Sequence, residues 1–176
     1  VRLADGTRID ADAVVAGIGA IPDTALAEAA GLAVDNGVTT GADLRTSDPD
    51  IYAAGDVASA YHPRLGRHVR VEHWANALNQ PAVAARAMLG QEVAYDRLPY
   101  FYTDQYDLGM EYTGYVPPGA RHDVVIRGDV ARREFVAYWL RDETVIAAMN
   151  VNIWDRTDEL KALILAAEPV DRAALT

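Results

Sequence analysis

The sequence predicts an α/β segment followed by a small α+β unit, and three observations carry that prediction. Short apolar runs in the first half, Ala13 to Ala16 and Ile51 to Ala54, each end at a glycine, the pattern of buried strands feeding turns. One long helical stretch, Glu72 to Leu89, stops at Gly90. From Tyr100 onward aromatic and β-branched residues gather in strand-length runs, and a single helix follows them.

Val1 to Val15 reads as two strands about the Asp5-Gly6 turn, so the chain opens inside a hairpin and reads as cut from something longer. Ala13 to Ala16 is a short buried strand running into Gly17-Ile18-Gly19, where both glycines can take angles closed to other residues. Asp23 or Thr24 caps a short helix through Ala30, with Gly31 as its stop. Val34 to Thr40 is a weak hairpin about Asn36-Gly37, and the turn cluster from Thr46 to Asp50 feeds the strand Ile51 to Ala54. A polar, arginine-rich loop is expected from Ser59 to Val71. The helix from Glu72 to Leu89 places apolar residues at 74, 77, 78, 84, 85 and 88, and Pro81 within it predicts a kink or a late start. Gln91 to Pro99 is a linker. The strands expected beyond it are Val124 to Ile126, Phe135 to Leu140 and Val145 to Val151, and the closing helix is Thr157 to Ala167.

Composition bounds the chemistry. The chain has 176 residues, 51% of them hydrophobic and 24% charged, which suits a packed core. It has no cysteine, which excludes a disulfide framework, a redox pair and a cysteine-ligated cluster within it. A formal net charge of -10 argues against nucleic acid as a partner, and no run reaches the length of a membrane span. The first residues lack the basic start and apolar stretch of a signal peptide, so a cytoplasmic location is expected. His62, His68, His73 and His122 lack metal-ligand spacing and read as surface or loop residues.

The most informative segment is Thr46 to Val57. An apolar run ending in Gly55-Asp56 puts a carboxylate where open α/β sheets bind ligands, and that carboxylate can accept hydrogen bonds from sugar-like hydroxyls. By itself a Gly-Asp pair also suits a simple turn cap. The whole twelve-residue segment, however, resembles the second FAD-binding signature of the pyridine-nucleotide-dependent flavoprotein reductases. Val15 to Asp23 resembles the same family's link from its NAD domain back to its FAD domain. Arg70-Val71-Glu72-His73-Trp74-Ala75-Asn76-Ala77 and Tyr100 to Tyr106 resemble the ferredoxin reductases of oxygenase systems, a family that includes the putidaredoxin, biphenyl-dioxygenase and rubredoxin reductases.

The resemblance implies a partial FAD/NAD(P)-binding doubly wound segment and a C-terminal reductase domain. The expected boundaries are 1–22 for the tail of the NAD domain, 23–90 for the returning FAD segment and 91–176 for the reductase domain. It implies that Gly55 and Asp56 meet the FAD ribityl chain, that the Val57 backbone lies along the flavin, and that Trp74 packs on its ring. The helix start from Glu72 to Ala77 would turn its unpaired N–H groups and positive dipole end toward the pyrimidine, where negative charge develops on reduction. Glu72 would bond near the flavin or the nicotinamide. Tyr102 stands where the family commonly has Trp and is expected to pack beneath the flavin edge. Trp74 as a plain core residue, and Asp104 and Gln105 as sheet-edge polar groups, are the alternatives at those positions.

In such an enzyme a hydride passes from NAD(P)H to FAD, and single electrons then pass to a two-iron ferredoxin. The absence of cysteine agrees with electrons leaving the flavin directly. Arg64, Arg67, His68 and Arg70 form either a solvated loop or a basic rim that steers an acidic ferredoxin. Neither glycine-rich phosphate motif of the family, GxGxxG, occurs in the sequence, so the chain alone is expected to hold FAD weakly. Other acceptors, rubredoxin or a quinone, and a non-catalytic role as a dimerisation module whose aromatic sheet is the contact surface, stand as the competing readings.

Overall fold

The computed structural model describes residues 1–175. Among the described residues there are four α-helices and eight strands, the strands arranged in two sheets. The first sheet has the order β1-β2-β3, from β1 (Val38–Thr40), β2 (Ala58–His62) and β3 (Arg67–Val69). β1 runs parallel to β2, and β2 antiparallel to β3. Helix α1 (Ala25–Ala29) precedes this sheet and helix α2 (Trp74–Met88) follows it. The small core here is Leu44, Ala60 and Ala84, with Tyr52, Ala54 and Val83 packed around it.

The second sheet is antiparallel, in the order β4-β5-β8-β7-β6. Its strands are β4 (Tyr100–Gln105), β5 (Leu108–Gly114), β6 (Asp123–Asp129), β7 (Glu134–Arg141) and β8 (Thr144–Val151). Helix α3 (Thr157–Ala166) lays Leu160 and Ile164 on β7 and β8, and helix α4 (Arg172–Leu175) adds Leu175 to the same core. β7 alternates as half-buried strands do, Val136, Tyr138 and Leu140 facing this core, while Ala137 is buried on the opposite face. The linker between α2 and β4 is pinned by Tyr95, whose buried backbone N–H donates to Ala42 O at 2.8 Å.

Three expectations are corrected. Ser59 to Val71 is a hairpin rather than a loop: Ala58, Ser59, Ala60, His62 and Val69 are buried, and Arg64 and Arg67 point outward from it. Ile51 to Ala54 joins no sheet. Tyr52 bridges to Arg45, with Thr46 N donating to Ile51 O at 3.0 Å and Ala53 N to Leu44 O at 3.1 Å on either side of that bridge. Ala13 to Ala16 is neither strand nor buried, with Val15 98% exposed.

Helix α2 continues through Pro81, and the side it buries is not its apolar one. Asn76, Gln80, Ala84 and Ala87 face inward, while Trp74, Leu78 and Met88 are exposed. The two buried amides serve backbone groups elsewhere, which is why polar side chains occupy the inner stripe.

Candidate functional site

The turn Gly55–Val57 is a single 3₁₀ turn wedged against α2. Gly55 has a φ of 79°, and its buried N–H donates to Gln80 Oε1 at 2.7 Å. A Cβ at Gly55 would lie 3.8 Å from Ala77 Cα, so this turn and the second turn of the helix touch through their smallest residues. Asp56 is exposed, and its backbone carbonyl accepts from Arg70 Nη1 at 3.2 Å.

Arg70 organises the next layer. Its side chain is only 12% exposed, and Nη1 also donates to Glu72 Oε1 at 2.6 Å. Gly37, with a φ of 126°, permits this placement. A Cβ there would come within 2.6 Å of Val57 O and 2.8 Å of Arg70 Cδ. Arg70 Nε is buried without a hydrogen-bond partner, and so is Nδ1 of His73. His73 is the N-cap residue of α2, and its ring packs on Phe101 with centroids 4.9 Å apart. Burial lowers the pKa of His73 below the ordinary imidazole value, opposed by the charges of Asp56 and Glu72.

These groups wall a cavity of about 1000 Å³ between the start of α2 and the edge strand β4. Arg70, Glu72, His73 and Trp74 line one side, Tyr100 to Asp104 the other, and Gly19 and Ala20 close it. Trp74 meets Tyr102 edge to face at 6.3 Å, and both rings remain open to solvent, at 66% and 48%. From the other face of β4 a row of rings leads inward: Phe101 stacks on Tyr112 at 5.0 Å, and Tyr112 meets Trp139 at 5.5 Å. Burial pushes the Tyr112 hydroxyl up to about 12.

Tyr100 anchors the wall. Its hydroxyl donates to Glu111 Oε1 at 2.7 Å, while Glu111 Oε2 accepts from Asn150 Nδ2 at 3.0 Å and Thr157 Oγ1 at 2.8 Å. Burial alone would raise the Glu111 pKa, but the three donors outweigh it and hold this carboxyl below its ordinary range. Burial and the neighbouring carboxylate raise the Tyr100 pKa well above the usual phenol value. One strand, β4, is thus tied through a single carboxylate to β5, β8 and α3.

Of the residues singled out from sequence, Glu72, Trp74 and Tyr102 line the cavity. Gly55, Asp56, Val57 and Ala77 do not: the first three form the turn whose Asp56 carbonyl meets Arg70, and Ala77 is the α2 residue nearest Gly55. The helix begins at Trp74, so Glu72 lies before it and is held by Arg70. Arg70 itself, His73, Gln80 and Phe101 were not assigned these places. His73 lies in the loop that enters α2, as expected, and is half-buried at the site, whereas His62 is buried in β2 with Nε2 3.0 Å from Arg97 O and is neither a surface nor a loop residue. The basic rim is also thinner than expected: Arg70 turns inward and Arg64 is paired with Asp96 at 2.7 Å, leaving Arg67 and His68 exposed.

Comparison with known proteins places this geometry. A family model described as pyridine nucleotide-disulphide oxidoreductase matches residues 1–81, and one described as reductase C-terminal matches residues 100–176. The ferredoxin–NAD(+) reductase component of the anthranilate 1,2-dioxygenase system of Burkholderia cepacia is 45% identical over 93% of this chain and 40% of its own length. Putidaredoxin reductase of Pseudomonas putida is 38% identical over 95% and 39% respectively. The crystal structure of the ferredoxin reductase for the CYP199A2 system of Rhodopseudomonas palustris superposes with a TM-score of 0.89 at 36% identity, over 99% of this chain and 43% of that one. The chain therefore spans about two fifths of the length of the relatives it matches. Over these stretches it is similar to the pyridine nucleotide-disulphide oxidoreductase family in its first half, to the reductase C-terminal family in its second, and across both to ferredoxin reductases.

Proposed function

We propose that this chain supplies the flavin-facing wall of an FAD-dependent NAD(P)H:ferredoxin oxidoreductase that feeds a two-iron ferredoxin of an oxygenase system. The observation that carries the reading is the cavity between α2 and β4. The Arg70 and His73 side chains line it beside the open rings of Trp74 and Tyr102. Flat aromatic surface beside a guanidinium and an imidazole suits a planar heteroaromatic ring that carries polar acceptors, and the isoalloxazine of FAD is such a ring.

When bound, FAD accepts a hydride from the nicotinamide and releases electrons one at a time. The residues here hold and shield it. Trp74 and Tyr102 offer ring faces and exclude water. The first turn of α2 presents free N–H groups and its positive dipole end where negative charge accumulates. Asp56 offers a carboxylate to ribityl hydroxyls, while Arg70 fixes the Asp56 carbonyl and Glu72 together and so sets the turn against the helix start. Val57 lends backbone, and Gly55 and Ala77 allow the close approach of the two elements.

The same reading divides the chain at 22/23 and 90/91, makes the chain alone a weak flavin binder, and places it in the cytoplasm. The test is anaerobic stopped-flow spectroscopy on the flavin-loaded full-length enzyme, this chain joined to the remaining length that its relatives carry, because the chain alone is expected to be inactive. NADH or NADPH is expected to bleach the flavin's visible band, and an oxidised two-iron ferredoxin to restore it. Absence of bleaching rejects the reading, and recovery only with rubredoxin or a quinone reassigns the acceptor.

A further inference from the structure

A second cavity, of about 420 Å³, lies between the β2–β3 hairpin and the second sheet. Much of its lining is aliphatic: Leu98 from the linker, Val145 and Ile146 from β8, and Ile164 and Leu165 from α3. Three arginines also line it, Arg64 and Arg67 from the hairpin and Arg141 from the end of β7. Among the described residues no Asp or Glu does, although the chain has 26 acidic residues against 16 basic ones. The cavity at the start of α2, by contrast, carries Glu72 and Asp104.

Arg64 is already committed, since its Nε and Nη2 both donate to Asp96 Oδ2, at 3.0 and 2.7 Å. The side chains of Arg67 and Arg141 have no carboxylate or other hydrogen-bond partner among the described residues. Of the two acids that follow Arg141 in the chain, Asp142 lies outside the cavity and Glu143 is held by Arg172 at 2.8 and 2.9 Å. We propose that this cavity is a binding site for a medium-chain monocarboxylate, its carboxylate on Arg67 and Arg141 and its alkyl body against the aliphatic lining.

Each part of that ligand answers a feature of the cavity. A guanidinium offers a planar fork of donors that matches a carboxylate, and the half-buried Thr144 adds a hydroxyl. The end of α3 at Ala167 brings partial negative charge, which turns the carboxylate away from the helix and toward the arginines. Tyr115 is the one aromatic side chain in the lining, so an alkyl body suits it better than a flat ring. A small inorganic anion has nothing to lay on the aliphatic side chains, and a neutral hydrocarbon leaves both guanidinium groups unpaired. The volume falls within the range of small-molecule sites, about 300–1,000 Å³. The occupant touches the hairpin of the first sheet and β8 and α3 of the second, so it joins the two sheets. This inference does not depend on the flavin reading.

The experiment is isothermal titration calorimetry on the full-length enzyme, unaltered and as Arg67→Gln and Arg141→Gln, with acetate, hexanoate, octanoate and octan-1-ol. Its readout is heat of binding, so it is separate from any flavin reduction. Octanoate is expected to saturate one site with a sub-millimolar dissociation constant. Hexanoate is expected to bind about tenfold or more weakly, since each buried methylene is worth about fourfold. Acetate, which lacks the body, and octan-1-ol, which lacks the charge, are expected not to saturate over the same range. Each arginine variant is expected to weaken octanoate binding about tenfold. The ligand-free melting midpoint of both variants should stay where it is, because neither guanidinium has a partner in the fold. The proposal is overturned by the absence of saturable octanoate binding, by octan-1-ol binding as tightly as octanoate, or by full octanoate affinity in both variants.

Discussion

The backbone N–H of Gly55 donates to the Gln80 side-chain oxygen at 2.7 Å, both residues buried, and this bond joins the Gly-Asp turn to the helix that faces the cavity. The two positions are 25 residues apart, so the site depends on a helix position that carries no chemistry of its own. Replacing Gln80 by Leu keeps the bulk and leaves the Gly55 donor unmet. The expected cost is about 1–3 kcal/mol of stability, the desolvation penalty of a buried unpaired amide. Urea unfolding of the Gln80→Leu protein measures it, and an unchanged midpoint refutes the role given to this bond.

Gly37 makes a second, purely steric prediction. Its φ of 126° and the 2.6 Å separation of a would-be Cβ from Val57 O leave no room for any side chain. Gly37→Ala is expected to cost about 1–3 kcal/mol, the scale of a residue held in a disfavoured backbone region. It should also displace Arg70, whose Cδ lies 2.8 Å from the same point. A crystal structure of the variant with the Arg70–Glu72 pair broken agrees with this. One with Arg70 unmoved and full stability does not.

Trp74 carries the prediction tied most directly to the proposed function. Its indole is 66% exposed and braced only edge-on by Tyr102, so removing it should little affect the fold. If it covers a flavin face, Trp74→Ala weakens flavin affinity about tenfold, the scale of one aromatic contact together with its buried area. Flavin fluorescence should rise in the variant, because an indole in contact quenches it. Equal affinity and equal fluorescence in both proteins would remove Trp74 from the site.

What the sequence discloses follows from how local each feature is. The strands Phe135 to Leu140 and Val145 to Val151 declare themselves, since apolar and β-branched runs bounded by turns need no distant information. The Gly55-Asp56 turn and the positions of Trp74 and Tyr102 were legible through motif resemblance. The inner face of α2 was not, because Asn76 and Gln80 are buried to satisfy backbone groups that periodicity does not see. The hairpin of β2 and β3 was hidden by outward arginines at 64 and 67, although Ala58, Ala60 and Val69 supply its buried side. His73 gained its place only when β4 brought Phe101 against it, 28 positions away.

Acid stability should show two separate steps, one from each perturbed group beside the cavity. His73 is lowered by burial from about 6.5, so in folding it resists protonation. Above about 6.5 it is neutral in both states and contributes no pH dependence. As pH falls from there, the unfolded chain takes up the proton first, and stability declines until the folded value is passed. Glu111 acts lower. Its pKa is held below its ordinary value by Asn150, Tyr100 and Thr157 against the effect of burial, so its contribution is complete above the ordinary carboxylate range. That contribution is lost as pH falls through the lowered folded value. Urea unfolding across pH 3 to 8 should therefore lose its upper slope in His73→Gln and its lower slope in Glu111→Gln. The second substitution should also cost about 1–3 kcal/mol at neutral pH, because an amide cannot accept all three donors. A profile unchanged in both variants would mean that neither side chain titrates against the fold as its surroundings require.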